Sequence, residues 1–151
     1  EYGALGRPAL EEEERAAADA GWVEQIELGG AELKAGRLRA ARERFEEAIR
    51  RQAERGEPAD EAARTNLSLA HYNLACCLAL AASGKPDPGA APSALPADEA
   101  ARLRTGALDH INRAIDLGYR HPDETAADSD LEALRKEPAW AGVLDRMRRP
   151  R

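Results

Sequence analysis

Apolar residues recur along this chain at helical spacing, and prolines divide the pattern. Prolines fall at Pro8, Pro58, Pro86, Pro88, Pro92, Pro96, Pro122, Pro138 and Pro150. Long proline-free stretches between them are the helix candidates. The first covers residues 9–35 and opens on glutamates, which suit a helix amino terminus. Gly21, Gly29 and Gly30 weaken it, so a break or kink is expected near Gly21, with Val23, Ile26, Leu28 and Leu33 forming an apolar face beyond. A turn is predicted at "AGR", residues 35–37. Residues 38–55 carry Leu38, Ala41, Phe45, Ala48 and Ile49 at intervals of 3, 4, 3 and 1, which is one amphipathic face. A third helix, residues 59–82, has the stripe Leu67, Ala70, Leu74, Cys77, Leu78 and Ala81. The segment "SGKPDPGAAPSALP", residues 83–96, reads as a mobile loop. Residues 97–117 give a fourth helix with Leu103, Ala107, Leu108, Ile111, Ala114 and Ile115 on its face, closed by "GYRHPD". Two short helices are predicted after it. One spans residues 129–136, capped by Asp128 or Ser129, and one spans residues 138–147, with Pro138 in the first position.

Composition narrows the fold class to all-α. Hydrophobic residues make up 43% of the 151, but aromatics only 4%, and β-branched strand formers are scarce. A core of Ala, Leu, Ile and Val favours close helix–helix packing. The net charge of −6 argues against a basic nucleic-acid surface, and no nucleic-acid partner is expected. No apolar run is long enough for a membrane span, and no basic-then-apolar leader opens the chain. Because residue 1 is Glu, the sequence reads as a fragment or a processed chain, and a cytoplasmic setting is expected. Two cysteines are too few for a secreted disulfide scaffold.

A repeat emerges from small residues at fixed intervals. Gly29, Gly36, Ala41, Phe45 and Ala48 sit where the tetratricopeptide repeat (TPR) signature has a small residue at position 8, a turn glycine at 15, alanine at 20, a large apolar residue at 24 and alanine at 27. The stretch therefore resembles a TPR, whose two antiparallel helices approach closely at the small residues while the large one fills the gap beside them. A second unit is similar, with Leu74 and Ala75 at positions 7 and 8 and Ala107, Ile111 and Ala114 at 20, 24 and 27. It is interrupted. Ala75 and Ala107 are 32 residues apart where the signature has 12, and the proline-rich segment accounts for most of the excess. The units themselves are offset by 46 residues instead of 34, and neither has the signature proline at position 32. The tail, marked by Asp130, Leu131, Leu134, Arg135, Pro138, Trp140 and Leu144, resembles a segment that follows the last repeat in bacterial TPR proteins. The resemblance implies that it caps the fourth helix.

The expected organisation is an amino-terminal helical extension (1–21), two TPR-like repeats (22–118, divided as 22–55 and 59–118) and carboxy-terminal capping helices with a basic tail (119–151). The resemblance implies a non-enzymatic scaffold that binds a peptide or helix of a partner protein. Its groove positions correspond to Val23, Ile26, Glu27, Gly30, Leu33 and Lys34 in the first repeat and to Leu69, Tyr72, Asn73, Cys76, Ala79 and Leu80 in the second. The chaperone-binding subclass grips a carboxylate with Lys and Asn at positions 5 and 9 of its first repeat. Ile26 and Gly30 stand there instead, which argues against a chaperone tail, although Asn73 matches a position-6 asparagine. The competing expectation is that this face is covered by the chain itself, by its amino-terminal helix or by a second copy. Two further readings are an accessory domain of a larger enzyme, such as a kinase or peptidase, and a homo-oligomerisation module.

The adjacent cysteines need separate treatment. Neighbours on a helix point about 100° apart, so Cys76 and Cys77 do not readily share one metal, and a disulfide between them would strain the helix. His71, His110 and His121 have no zinc-ligand spacing. In the repeat frame Cys77 packs between helices and Cys76 faces the groove, where reactivity is the alternative to packing. Glu11 to Glu14 reads as a solvated helix start, and the terminal "RMRRPR" gives only weak grounds for a phosphate or acidic partner. Trp22 and Trp140 are expected to anchor the core or its cap. No catalytic constellation, cofactor motif or metal site is apparent.

Overall fold

The computed structural model describes the backbone of residues 7–92 and 94–149, with side chains from residue 21 onward. Six α-helices and one short 3-10 helix account for its regular structure, and no strand occurs among the described residues. The helices are α1 (Arg7–Lys34), α2 (Leu38–Ala53), α3 (Glu61–Ala82), α4 (Ala97–Asp116) and α5 (Pro122–Ala127), then the 3-10 helix Ser129–Leu134 and α6 (Trp140–Arg148). Each long helix packs on the next, α1 on α2, α2 on α3 and α3 on α4. The expected all-α class holds.

α1 ends in a Schellman turn that reverses the chain. Gly36 adopts φ 78°, its N–H reaches the Leu33 carbonyl at 3.0 Å, and the Arg37 N–H reaches the Glu32 carbonyl at 2.9 Å. α4 ends the same way. Gly118 has φ 108°, and the Tyr119 N–H bonds the Ala114 carbonyl at 3.0 Å, which aims the tail back across the helices. Arg37 gives α2 no side-chain cap. The cap comes from the proline-rich segment. Asp87 accepts from the Leu38 N–H at 2.9 Å and the Arg39 N–H at 3.4 Å, satisfying two orphan donors of the first turn. The stretch expected to be a mobile loop is therefore tied to the amino terminus of α2.

Several boundaries differ from expectation. α1 runs unbroken through Gly21, without the predicted break, and so crosses the division drawn at residues 21 and 22. A lone glycine costs a helix only about 1 kcal/mol, and packing against α2 offsets it. α2 stops at Ala53, and α3 starts after Asp60, whose carboxylate accepts from the Ala63 N–H at 2.8 Å. In the tail, the helix predicted from residue 129 is a 3-10 helix ending at Leu134, and the next begins at Trp140, leaving Pro138 in the turn. α5 is an additional helix, opened by Pro122. Side chains of the glutamate run at 11–14 lie outside the described residues, as do residues 150 and 151 of the basic tail.

α3 is the central element. It touches α1, α2, α4 and the 3-10 helix, and Leu67 to Ala79 contributes buried residues from every side. At the first hairpin, Gly29 lies directly under the Phe45 ring. A Cβ there would come within 2.7 Å of it. Phe45, Ala41, Ala48, Ala75, Ala107, Ile111 and Ala114 are all completely buried. Trp22 and Trp140 are both buried in the core, as expected of anchors.

Candidate functional site

The face of α3 that carries Tyr72 and Cys76 is closed by the chain's own tail. The Tyr72 hydroxyl donates to Asp128 Oδ2 at 2.7 Å, and Cys76 Sγ lies 3.8 Å from the same oxygen. Asp128 Oδ1 accepts from the Asp130 N–H at 3.0 Å, which makes Asp128 the cap of the 3-10 helix as well as its anchor. The Tyr72 ring stacks on Tyr119, with centroids 4.5 Å apart and planes 19° apart, and His121 meets Tyr119 edge-on at 4.8 Å. Leu131 and Leu134 of the 3-10 helix are completely buried, so the tail is wedged against α3 by side chains as well as by hydrogen bonds.

The predicted groove residues separate on this structure. Tyr72 is 7% exposed and Cys76 only 2%, so neither presents an open surface. Ile26 and Ala79 are buried in the core. Val23, Gly30, Leu33, Asn73 and Leu80 are half-buried, Glu27 and Lys34 are exposed, and Leu69 is 39% exposed. What remains open on α3 is the strip of exposed Leu69 and half-buried Asn73, one turn apart, and on α1 Glu27 and Lys34 are exposed. The 3-10 helix packs mainly on α3 and only lightly on α4, while α6 packs on α4 and α5. The tail thus meets α4 through α6, through the lighter contact of the 3-10 helix, and through Glu137, which accepts from Arg104 Nε at 2.6 Å.

Cys76 and Cys77 are both free and both buried. Burial, reinforced by the Asp128 and Asp130 carboxylates, pushes the Cys76 thiol far up. Burial likewise raises Cys77, to about 12. Neither is a thiolate near neutral pH, so the alternative of a reactive, groove-facing Cys76 is corrected. The Tyr72 phenol is also raised, by burial first and then by its bond to Asp128, which keeps it protonated as the donor. Burial and the neighbouring Asp128 raise Asp130 too. One thiol and two carboxylates, from Cys76, Asp128 and Asp130, place a ligand atom each within 4.8 Å of one another. Hydrogen bonds from Tyr72 and the Asp130 N–H already use both Asp128 oxygens, so internal bonding accounts for this cluster.

Sequence reasoning missed the partners of α3 that come from far along the chain. Asp128 was legible as a cap, but nothing in the local pattern pairs it with Tyr72, 56 residues earlier. His71 and His110, read as lacking ligand spacing, meet across α3 and α4 with their Nδ1 atoms 2.8 Å apart. Clefts open beside these elements, among them one of about 470 Å³ with Glu46, Leu78, Gly106 and His110 in its lining. Another, of about 200 Å³, sits over the first turns of α3 beside the α4–α5 connection, and Arg64, Ser68, Leu69, Leu117, Tyr119 and His121 are among its lining residues. A third, of about 600 Å³, lies between α2, the Asp87 segment and α4, with Arg39, Arg42, Lys85, Leu95 and Leu103 along its walls.

No family model matches this chain, and neither a curated protein nor a solved structure does. Among the described residues no helix is long and apolar enough to cross a membrane.

Proposed function

We propose that this chain is a TPR-like protein-interaction module with no catalytic activity of its own, and that it binds a peptide or helical segment of a partner protein. The observation that carries the reading is the burial of the signature positions. The small residues Gly29 and Ala75, Ala41 and Ala107, and Ala48 and Ala114, together with the large Phe45 and Ile111, are all buried where the two hairpins close. At Gly29 there is no room for a Cβ. Such close approach is what the repeat signature exists to permit. A surface built from consecutive hairpins of this kind serves for recognition through apolar anchors set among polar groups. The available anchors are Leu69 and Asn73 on α3 and Glu27, Leu33 and Lys34 on α1.

Affinity capture with the full-length protein tests this. Partners held by the wild type should be lost from Leu69→Glu and reduced with Asn73→Ala. Retention of every partner by both variants would remove the α3 strip as the binding surface.

A further inference from the structure

The proline-rich crossing between α3 and α4 is held by one side chain. α3 closes at Gly84, with φ 81°, where the Gly84 N–H bonds the Ala81 carbonyl at 3.0 Å and the Lys85 N–H bonds the Leu80 carbonyl at 3.2 Å. Beyond that stop, Asp87, Pro88, Gly89 and Ala90 form a tight turn. The Ala90 N–H bonds the Asp87 carbonyl at 3.0 Å and Gly89 adopts φ 82°, the arrangement of a type II turn with proline in its second position. Every residue from 85 to 92 is exposed except Asp87, which is half-buried. Among the described residues, the bonds that the Asp87 carboxylate accepts from the Leu38 and Arg39 N–H groups are the only hydrogen bonds from residues 86–92 to another element. Pro88 adds one marginal contact, its Cγ lying 4.0 Å from where a Cβ on Gly36 would be.

Two consequences follow from this pattern of exposure. No apolar side chain of residues 85–92 is buried, so the hydrophobic term that fixes the helices does not fix the turn, and the segment belongs to the part of the fold that opens at low cost. Its own shape does not depend on α2. Pro86, Pro88 and the internal Asp87–Ala90 bond maintain the turn, so it can leave as a unit. What opposes that movement is a pair of charge-assisted bonds, one of 2.9 Å and one of 3.4 Å, and water can replace both. The same stretch lines the cleft between α2 and α4. Pro86, Asp87, Ala90 and Ala91 contribute to it, with the half-buried Ala81 and Leu103 in the same lining.

We propose that residues 86–92 form a latched strap. The Asp87 carboxylate holds the turn on the amino terminus of α2, and its release lets the turn move away as a unit and opens the α2–α4 cleft while the helices stay packed. This device is independent of the interaction reading, whose residues lie on α1 and on the uncovered flank of α3.

A thiol placed in the cleft by Leu103→Cys reports the opening in the whole chain. Cys76 and Cys77 are buried and protonated near neutral pH, so the introduced thiol is the one that reacts with a disulfide reagent. With Asp87 intact, its labelling rate should stay constant in urea below the unfolding transition, as local opening requires. Asp87→Ala should raise that rate about tenfold or more, and Asp87→Asn, which keeps one acceptor without the charge, should fall between. NMR relaxation should show the Gly89, Ala90 and Ala91 amides dropping from order parameters of about 0.85 to below about 0.6 in Asp87→Ala. A labelling rate that climbs with urea in step with global unfolding, equal rates with and without the Asp87 carboxylate, or unchanged order parameters would each overturn the latch. If Asp87→Ala does not fold, Asp87→Asn supplies the same readings, and the urea dependence with Asp87 intact decides the matter without either variant.

Discussion

Acid should loosen this fold through one pair of histidines. His71 and His110 bridge α3 and α4, with Nδ1 atoms 2.8 Å apart and ring centroids 5.1 Å apart. The centroid separation is the nitrogen distance plus one ring radius from each side, so the two nitrogens point at each other along a line. Such a line holds a single proton, donated by one ring and accepted by the other. A second would set two N–H groups head to head. His71 is 7% exposed. Its burial, then His110 and Arg113, hold its pKa near 3 instead of 6.5. Burial lowers His110 as well, opposed by Asp109 and Glu46 and assisted by Arg42. In the unfolded chain His71 titrates at about 6.5. Between those two values the unfolded chain binds a proton that the folded one refuses, so stability is full above the unfolded value and declines as pH falls. The slope is about 1.4 kcal/mol per pH unit for one such group, so lowering the pH from about 7.5 to about 5 removes about 2 kcal/mol. Against a typical total of roughly 5–15 kcal/mol that is a readily measured loss. Urea unfolding at both pH values, followed by circular dichroism, should show His71→Asn losing about 2 kcal/mol less than the wild type across this interval. Carboxylates such as Asp130 titrate in both proteins and cancel in the comparison. Equal losses in the two proteins would refute the shared-proton account.

Two stability contrasts test the packing. Gly29→Ala should cost about 1–3 kcal/mol, because the added methyl meets the Phe45 ring, whereas Gly30→Ala, which meets open space, should gain about 1 kcal/mol from helix propensity. Thermal unfolding reads both, and the opposite order would mean that α1 and α2 pack on another face. Tyr72→Phe should cost about 1.5–3 kcal/mol, since it removes a buried bond to the Asp128 carboxylate. Amide exchange across the 3-10 helix should quicken in that variant, and unchanged exchange would show that its leucines hold the tail without the hydroxyl.

Helices α2 and α4 were legible because each has one wet and one dry side. Their residues alternate at helical spacing, and the starts of both, Leu38 and Ala97, could be read directly. α3 was legible as a helix but not as a surface. Its middle is apolar all round, and such a helix gives no period from which to decide which side stays open. Cys76, which the repeat frame turns toward a groove, lies instead buried against Asp128. The remaining misses share one physical origin, which is contact between residues far apart in sequence. Asp87 caps a helix 49 residues upstream, and Tyr72 finds a carboxylate 56 residues downstream. Neither leaves a local mark, because an aspartate in a proline-rich stretch and a tyrosine in an apolar helix are each ordinary in their own surroundings. The 3-10 helix departs from the expected α-helix for the opposite reason. Six residues with a good cap satisfy the local rules for either kind of helix, and the choice was made by how Leu131 and Leu134 reach α3.

The closed face of α3 limits how much surface the proposed function could use. A ligand that competed for the ground around Tyr72 and Cys76 would have to lift the 3-10 helix and expose Leu131 and Leu134, both completely buried. Returning two such leucines to water costs about 1.5–3 kcal/mol each, which together weakens the competitor's affinity by roughly a thousandfold. Loss of the Tyr72–Asp128 bond adds to that. The tail is therefore an integral part of the fold rather than a displaceable plug. The two hairpins are unequal in consequence, since one of them has its inner face filled by the chain itself. Under the proposed function, recognition on α3 is confined to the flank that the tail leaves uncovered, where Leu69 is exposed.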